Sequence, residues 1–254
     1  MKQHNRIKHL LLAFVFLVIS SSMLVAQNNV DSIVELGNDL ANLEDYKQAD
    51  KTFDRALDIK ENYKPALEGK IQVLLMMDKF SKAEKIAEDA IDQYPQDPTF
   101  HMYMGKVLIE RGNFEDALSY LSQTLAIADD SDSMLLNKVY VNMGAAYQKI
   151  GQTGKAMENY TQALSLNRNN PNVFIYRGNL YYKQQSYTQA LNDFQRVLAL
   201  DPNNHVAQYN VGMCFFKQGE KRNACDAFHK ACELGNTNAC KMVISKCLRS
   251  SETQ

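Results

Sequence analysis

Five cysteines are the residues in this chain best suited to chemistry, and all stand at or beyond position 214: Cys214, Cys225, Cys232, Cys240 and Cys247. Cys225 and Cys232 are seven residues apart, and so are Cys240 and Cys247. Two helical turns take about seven residues, so each couple falls on one stripe of a helix. The couples are symmetric about Asn236, and Gly235-Asn236 is a turn signal. An antiparallel helix pair hinged there sets Cys225 level with Cys247 and Cys232 level with Cys240, within reach of disulfide geometry. Zinc is the competing use of four such thiols. Sulfurs two turns apart on one helix are separated by about 10 Å, too far to converge on one ion with bonds of ~2.3 Å. The spacing predicts two disulfides, Cys225 to Cys247 and Cys232 to Cys240, with Cys214 left as a buried free thiol. Five reduced, buried thiols are the alternative.

Other reactive combinations are missing. Beyond residue 26 the histidines are His101, His205 and His229, each in a different part of the chain. None belongs to a nucleophile-and-base motif, a His-x-x-x-His pair or a phosphate-cradling glycine loop. His101 reads as a packed core residue, His205 opens a helix, and His229 faces outward. Asn159-Tyr160-Thr161 matches a glycosylation triplet but falls within a helical pattern. Asp31-Ser32-Ile33 and Asp132-Ser133-Met134 resemble the acidic-hydroxyl-apolar triplet that some bacteria O-glycosylate, the second of them in what reads as an inserted loop. The expectation is a protein that is not an enzyme and uses no metal, cofactor or small-molecule substrate.

Charge is almost balanced across the 254 residues, 28 Lys plus Arg against 29 Asp plus Glu. The first 26 residues hold Lys2, Arg6 and Lys8 and no acid. Leu10 to Ile19 is then unbroken apolar sequence, followed by Ser20, Ser21, Ser22 and Met23-Leu24-Val25-Ala26. Basic, apolar and small-residue segments in that order predict a secretory signal peptide over 1–26. A retained anchor is the alternative, but the apolar run is short for a bilayer. The mature chain is expected to be exported, periplasmic or extracellular, where cysteines oxidise. Without the leader, 25 basic residues face 29 acidic ones. That surface offers no overall basic field for nucleic acid, and no membrane span is expected after cleavage.

The elements that position these residues repeat. Pro171 to Asn204, PNVFIYRGNLYYKQQSYTQALNDFQRVLALDPNN, reads as two amphipathic helices closed by a turn. Phe174, Arg177, Gly178 and Tyr181 share one face of the first helix, and Ala190, Phe194 and Val197 one face of the second. Pro202 stops the unit. The template fits over 30–63, 64–97, 98–136, 137–170, 171–204 and 205–238. Gly37, Gly105, Gly144, Gly178 and Gly212 recur in the first helices, and Ala49, Ala83, Ala117, Ala156, Ala190 and Ala224 in the second. These small residues are expected to meet across each seam. Ile71 stands where the second unit should have glycine, which predicts a spread or shifted pair. About five extra residues, within ADDSDSML, follow the third unit and read as a loop. Residues 239–254 read as a capping helix and tail, since stacked repeats need their last apolar face covered.

This pattern resembles the tetratricopeptide repeat family over most of the chain, in a secreted bacterial form whose Cys-rich C-terminal cap resembles Sel1-like repeats. The resemblance implies an all-α, right-handed solenoid of about six helix-turn-helix units with a concave groove. It further implies a protein–protein interaction scaffold that binds a peptide or protein partner there. A structural subunit of an envelope or secretion assembly is the alternative, and a cysteine-based redox module a third. In the family the second, fifth, ninth, twelfth and thirteenth residues of each first helix line the groove. Carried over, these are Lys138, Val141, Ala145, Gln148 and Lys149; then Asn172, Ile175, Asn179, Tyr182 and Lys183; then Val206, Tyr209, Met213, Phe216 and Lys217. Asn179 and Asn210 match part of the family's carboxylate clamp. Ile175 occupies the place of its first Lys, and no seventh repeat supplies its Lys-Arg pair.

Overall fold

Six helices of this chain start where an Asp or Asn side chain answers a free backbone N–H group. In a computed structural model, which describes residues 29–248, the side chains of Asp45, Asp97, Asp132, Asn170, Asn204 and Asn236 each accept from an N–H two or three positions on. Pro98 and Pro171 take the first helical position, where no donor is needed. The helices are α1 (29–42), α2 (Tyr46–Ile59), α3 (Lys64–Met76), α4 (Phe80–Gln93), α5 (Pro98–Arg111), α6 (Phe114–Ile127), α7 (Ser133–Lys149), α8 (Thr153–Leu166), α9 (Pro171–Lys183), α10 (Tyr187–Leu200), α11 (His205–Lys217), α12 (Lys221–Glu233) and α13 (Thr237–Met242). The last runs into a π-helical turn, Val243–Cys247. Among the described residues there is no strand. The expected leader, 1–26, and the end of the tail lie outside the described residues.

Within each repeat the link between helices passes through one left-handed residue: Glu44, Asp78, Gly112, Gly151, Gln185 and Gly219. Their spacing is constant except between Gly112 and Gly151, where the five extra residues fall. Much of that insertion is helix and not loop. α7 has 17 residues against 13 in α9 and α11, because Asp132 caps a start at Ser133. The triplet Asp132-Ser133-Met134 therefore sits at a helix start.

At Gly37, Gly144, Gly178 and Gly212 the missing side chain makes room first for a ring of the second helix. A Cβ on Gly37 would lie 2.7 Å from Phe53, on Gly144 2.5 Å from Tyr160, on Gly178 2.8 Å from Phe194, and on Gly212 2.6 Å from Phe228. At Gly212 the backbone of a recurring alanine is also close, the Ala224 carbonyl at 3.3 Å. In the second repeat the bulk changes sides: Ile71 replaces glycine and Ala87 replaces the aromatic, and both are fully buried.

The chain divides into two compact units, Met1–Gly112 and Asn113–Gln254. The core of the first includes Val30, Val34, Ala49, Phe53, Ala56, Ala66 and Val73. In the second, α7 packs on α8, α9 on α10, and α11 on α12, with α8 meeting α9 and α10 meeting α11. Its last cluster joins Ala224, Phe228 and Ala231 of α12 to Ala239 and Val243 of the cap.

Candidate interaction surface

The first helices of the second unit keep one strip out of the core. Along α9, Val173, Phe174, Gly178 and Leu180 are buried. Asn172, Ile175, Asn179, Tyr182 and Lys183 fall within about 100° of the helix circumference, on a different side from Gly178. Asn172 and Lys183 are exposed, and Ile175, Asn179 and Tyr182 are half-buried. On α11 Val206 and Lys217 are exposed while Tyr209, Met213 and Phe216 are half-buried. On α7 Lys138 and Lys149 are exposed, and Val141, Ala145 and Gln148 are half-buried.

These strips touch their neighbours. Asn210 Nδ2 lies 3.5 Å from Asn179 Oδ1, which joins α11 to α9 at the level of the proposed groove. Tyr182 meets Tyr187 edge to face at 5.4 Å between centroids. Burial, with Tyr187, Cys214 and Tyr209 alongside, pushes its hydroxyl above the ordinary tyrosine range, so it stays a neutral donor. Gln148 Oε1 accepts from the Tyr160 hydroxyl at 3.2 Å, so part of its capacity is already used. Tyr209, Met213 and Phe216 lean on the cap's core beside Met242 and Cys247, and Ile175 leans on the cluster of α8 and α9. These side chains are structural on one face and available on the other.

Beneath the strip an ion pair fixes α9 against α10. Arg177 donates from Nε and Nη2 to both oxygens of Asp193, at 2.9 and 2.8 Å, and from Nη1 to Thr161 Oγ1 at 3.2 Å. Asp193 is 4% exposed. The bidentate fork satisfies the buried carboxylate and orients α9. Sequence reasoning placed Arg177 on this face without finding Asp193, which belongs to the other helix of the hairpin.

At the C-terminal end the structure pairs Cys225 with Cys247 and Cys232 with Cys240, with Cα separations of 5.7 and 4.8 Å. Gly235 takes a positive φ of 92° and Asn236 caps α13, which makes the hinge. Cys214 is free and buried, and burial pushes its thiol up to about 12, far from the reactive thiolate. An open depression of about 530 Å³, lined by Lys221, Arg222, Cys225, Asp226, His229, Cys247 and Leu248, leads to the outer bridge. His101 is buried with Nδ1 3.1 Å from the Asp97 carbonyl; His229 is exposed. Among the described residues no three His, Cys, Asp or Glu side chains are grouped to hold a metal ion, and no helix is long and apolar enough to cross a membrane.

Family profiles agree with this geometry. Profiles described as tetratricopeptide repeat match residues 40–107, 98–169 and 206–234, and one described as TPR repeat matches 178–219. The chain belongs to the tetratricopeptide repeat family. This tetratricopeptide protein is an all-α helical-repeat solenoid like several solved structures. Pseudomonas aeruginosa pilF is 18% identical with a TM-score of 0.70, over 84% of this chain and 94% of that one. The APC/C hetero-tetramer Cut9-Hcn1 gives 15% identity and a TM-score of 0.71 over 85% of this chain, which spans only 42% of that one. YrrB, described as a TPR protein with an unusual peptide-binding site, gives 17% and 0.57 over 74% of this chain and 94% of its own. Comparison with curated proteins gives no match. At these identities the likeness establishes the fold, and the repeats establish a protein–protein interaction scaffold.

Proposed function

We propose that the chain is a non-catalytic, exported scaffold that holds a peptide segment of a partner protein along the strip formed by α7, α9 and α11. The observation that carries this is the continuity of the strip. Asn179 and Asn210 meet across two repeats, and half-buried Tyr182, Tyr209 and Phe216 flank them with one face still open. Rigid amphipathic rings beside amide donors suit a peptide backbone and its apolar side chains. The site described for YrrB is an instance of a related fold put to such a use. The leader-like segment and the paired cysteines support work outside the cytoplasm.

The experiment is capture of the partner from the organism's own envelope extract by crosslinking, then quantitative binding to Tyr182→Ala and Phe216→Ala. Loss of binding with retained helicity is expected. Wild-type affinity in both variants would place the partner elsewhere. A subunit of an envelope or secretion assembly is the same scaffold with a particular partner, and the same capture identifies it.

A further inference from the structure

The strip-bearing helices of repeats four to six carry cations and no carboxylate. α7 holds Lys138 and Lys149, α9 holds Arg177 and Lys183, and α11 holds Lys217; none contains Asp or Glu. α1 is the reverse, with Asp31, Glu35 and Asp39 and no Lys or Arg. The second helices α8, α10 and α12 each carry both signs. This segregation sits in a chain of formal net charge −1. The helix dipole explains a Lys in a last turn, where Lys149, Lys183 and Lys217 stand. The same dipole favours acids in a first turn, and these three helices have none there.

Arg177 is committed to Asp193. Lys149, Lys183 and Lys217 are exposed, and no ion pair joins them to another described residue. Each is the last residue of its helix, so the three ammoniums stand at equivalent points of three neighbouring helices. Side-by-side helices lie about 10 Å apart. A peptide in polyproline II conformation advances about 3.1 Å per residue with three residues per turn, so every third side chain returns to the same face about 9 Å further on and can meet the next lysine. Gln148, Tyr182 and Phe216, one position before the lysines, face what lies between.

We propose that this groove selects an acidic segment of its partner: a peptide in polyproline II conformation with Asp or Glu at every third residue and apolar side chains between. The proposal rests on reading the α7, α9 and α11 strip as a peptide groove. It needs no chain terminus, unlike the family's carboxylate clamp, whose Lys positions are not filled here.

The test is selection of random twelve-residue displayed peptides on the full chain with its disulfides intact, against the triple variant Lys149→Gln, Lys183→Gln, Lys217→Gln and against Tyr182→Ala. Wild type should enrich peptides with acids three apart. The triple variant, unchanged in helicity because the lysines are exposed, should lose that enrichment. The best peptide should bind the triple variant about tenfold or more weakly, since each exposed ion pair contributes up to roughly fivefold. Its Glu→Gln form should lose as much on wild type, and added salt should narrow the difference. Enrichment of neutral or basic peptides that depends on Tyr182 would overturn the acidic specificity and leave the groove standing. Enrichment indifferent to both variants, or none, would remove the groove and the specificity together. Random-sequence RNA binding more tightly than any selected peptide would also overturn the proposal.

Discussion

Gly178→Ala tests the seam logic that builds the fold. The new methyl would lie 2.8, 3.1 and 3.2 Å from three atoms of the Phe194 ring, where carbon contacts settle at about 3.5–4.0 Å. Phe194 is 1% exposed and has no room to turn away. Overpacking of this kind costs about 1–3 kcal/mol. Alanine recovers about 1 kcal/mol through helix propensity, so the net loss should be roughly 0–2 kcal/mol. Phe194→Ala alone should cost about 3–5 kcal/mol through the cavity it leaves. In that background the Gly178→Ala methyl enters empty space, and its effect should change sign to a gain of about 0.5–1 kcal/mol. A repeat array need not unfold in one step, so the readout should be hydrogen exchange of α9 and α10 alongside urea unfolding. If Gly178→Ala destabilises by the same amount with and without the ring, the ring is not why glycine is there.

Gln185 holds a φ of 62° where Gly112, Gly151 and Gly219 stand in other repeats, so Gln185→Gly should stabilise by about 0.5–1 kcal/mol in urea unfolding. Alkylation of the unfolded, unreduced protein should modify Cys214 alone, and five thiols after reduction; five in both cases would exclude the bridges. Partial reduction should open Cys225–Cys247 first, because it lines the open depression, and should release up to about 3 kcal/mol of chain-entropy stabilisation. Asp97 is partly buried, which works against its charge, but Lys64 and the Thr99 N–H outweigh this and hold its carboxyl below the ordinary range. A depressed carboxyl stabilises the fold above its unfolded pKa, and that share is lost as pH falls through the folded value. Asp97→Asn should therefore flatten the acid limb of a stability-against-pH curve below about pH 4.

The repeat phase was legible because stacking puts a similar steric demand on the same position in most units. Glycine, alanine and the aromatic recur for that reason, and so do Gly235-Asn236 and the cysteine spacing on either side of it. What the glycine makes room for was not legible, since the ring lies on the other helix and only the folded hairpin brings it there. Glu44 and Gln185 carry no chemical mark of a left-handed turn, and their place in the repeat assigns it; Asp78 is a residue type that tolerates one. The start of α7 was available in the sequence, as Asp132 followed by Leu135 and Leu136, but its polar surroundings resemble a loop. Arg177 and Asp193 are joined only by the hairpin geometry, as two members of one ion pair on successive helices.

The cap and the strip are mechanically one object. Tyr209, Met213 and Phe216 present one face to the strip and rest the other on Ala224, Phe228, Ala231, Ala239 and Val243. Their orientation therefore depends on a six-residue helix and one π-helical turn, too short to persist alone. The two bridges tie that short segment to α12 near both of its ends. Ile175 rests instead on a cluster made by α7 to α11, and Tyr182 on one that reaches Ala227 of α12 but no residue of the cap. The last third of the strip thus packs partly on a segment that two covalent bonds hold in place. If the strip binds as proposed, reduction of the two bridges should weaken its α11 end along with the chain end.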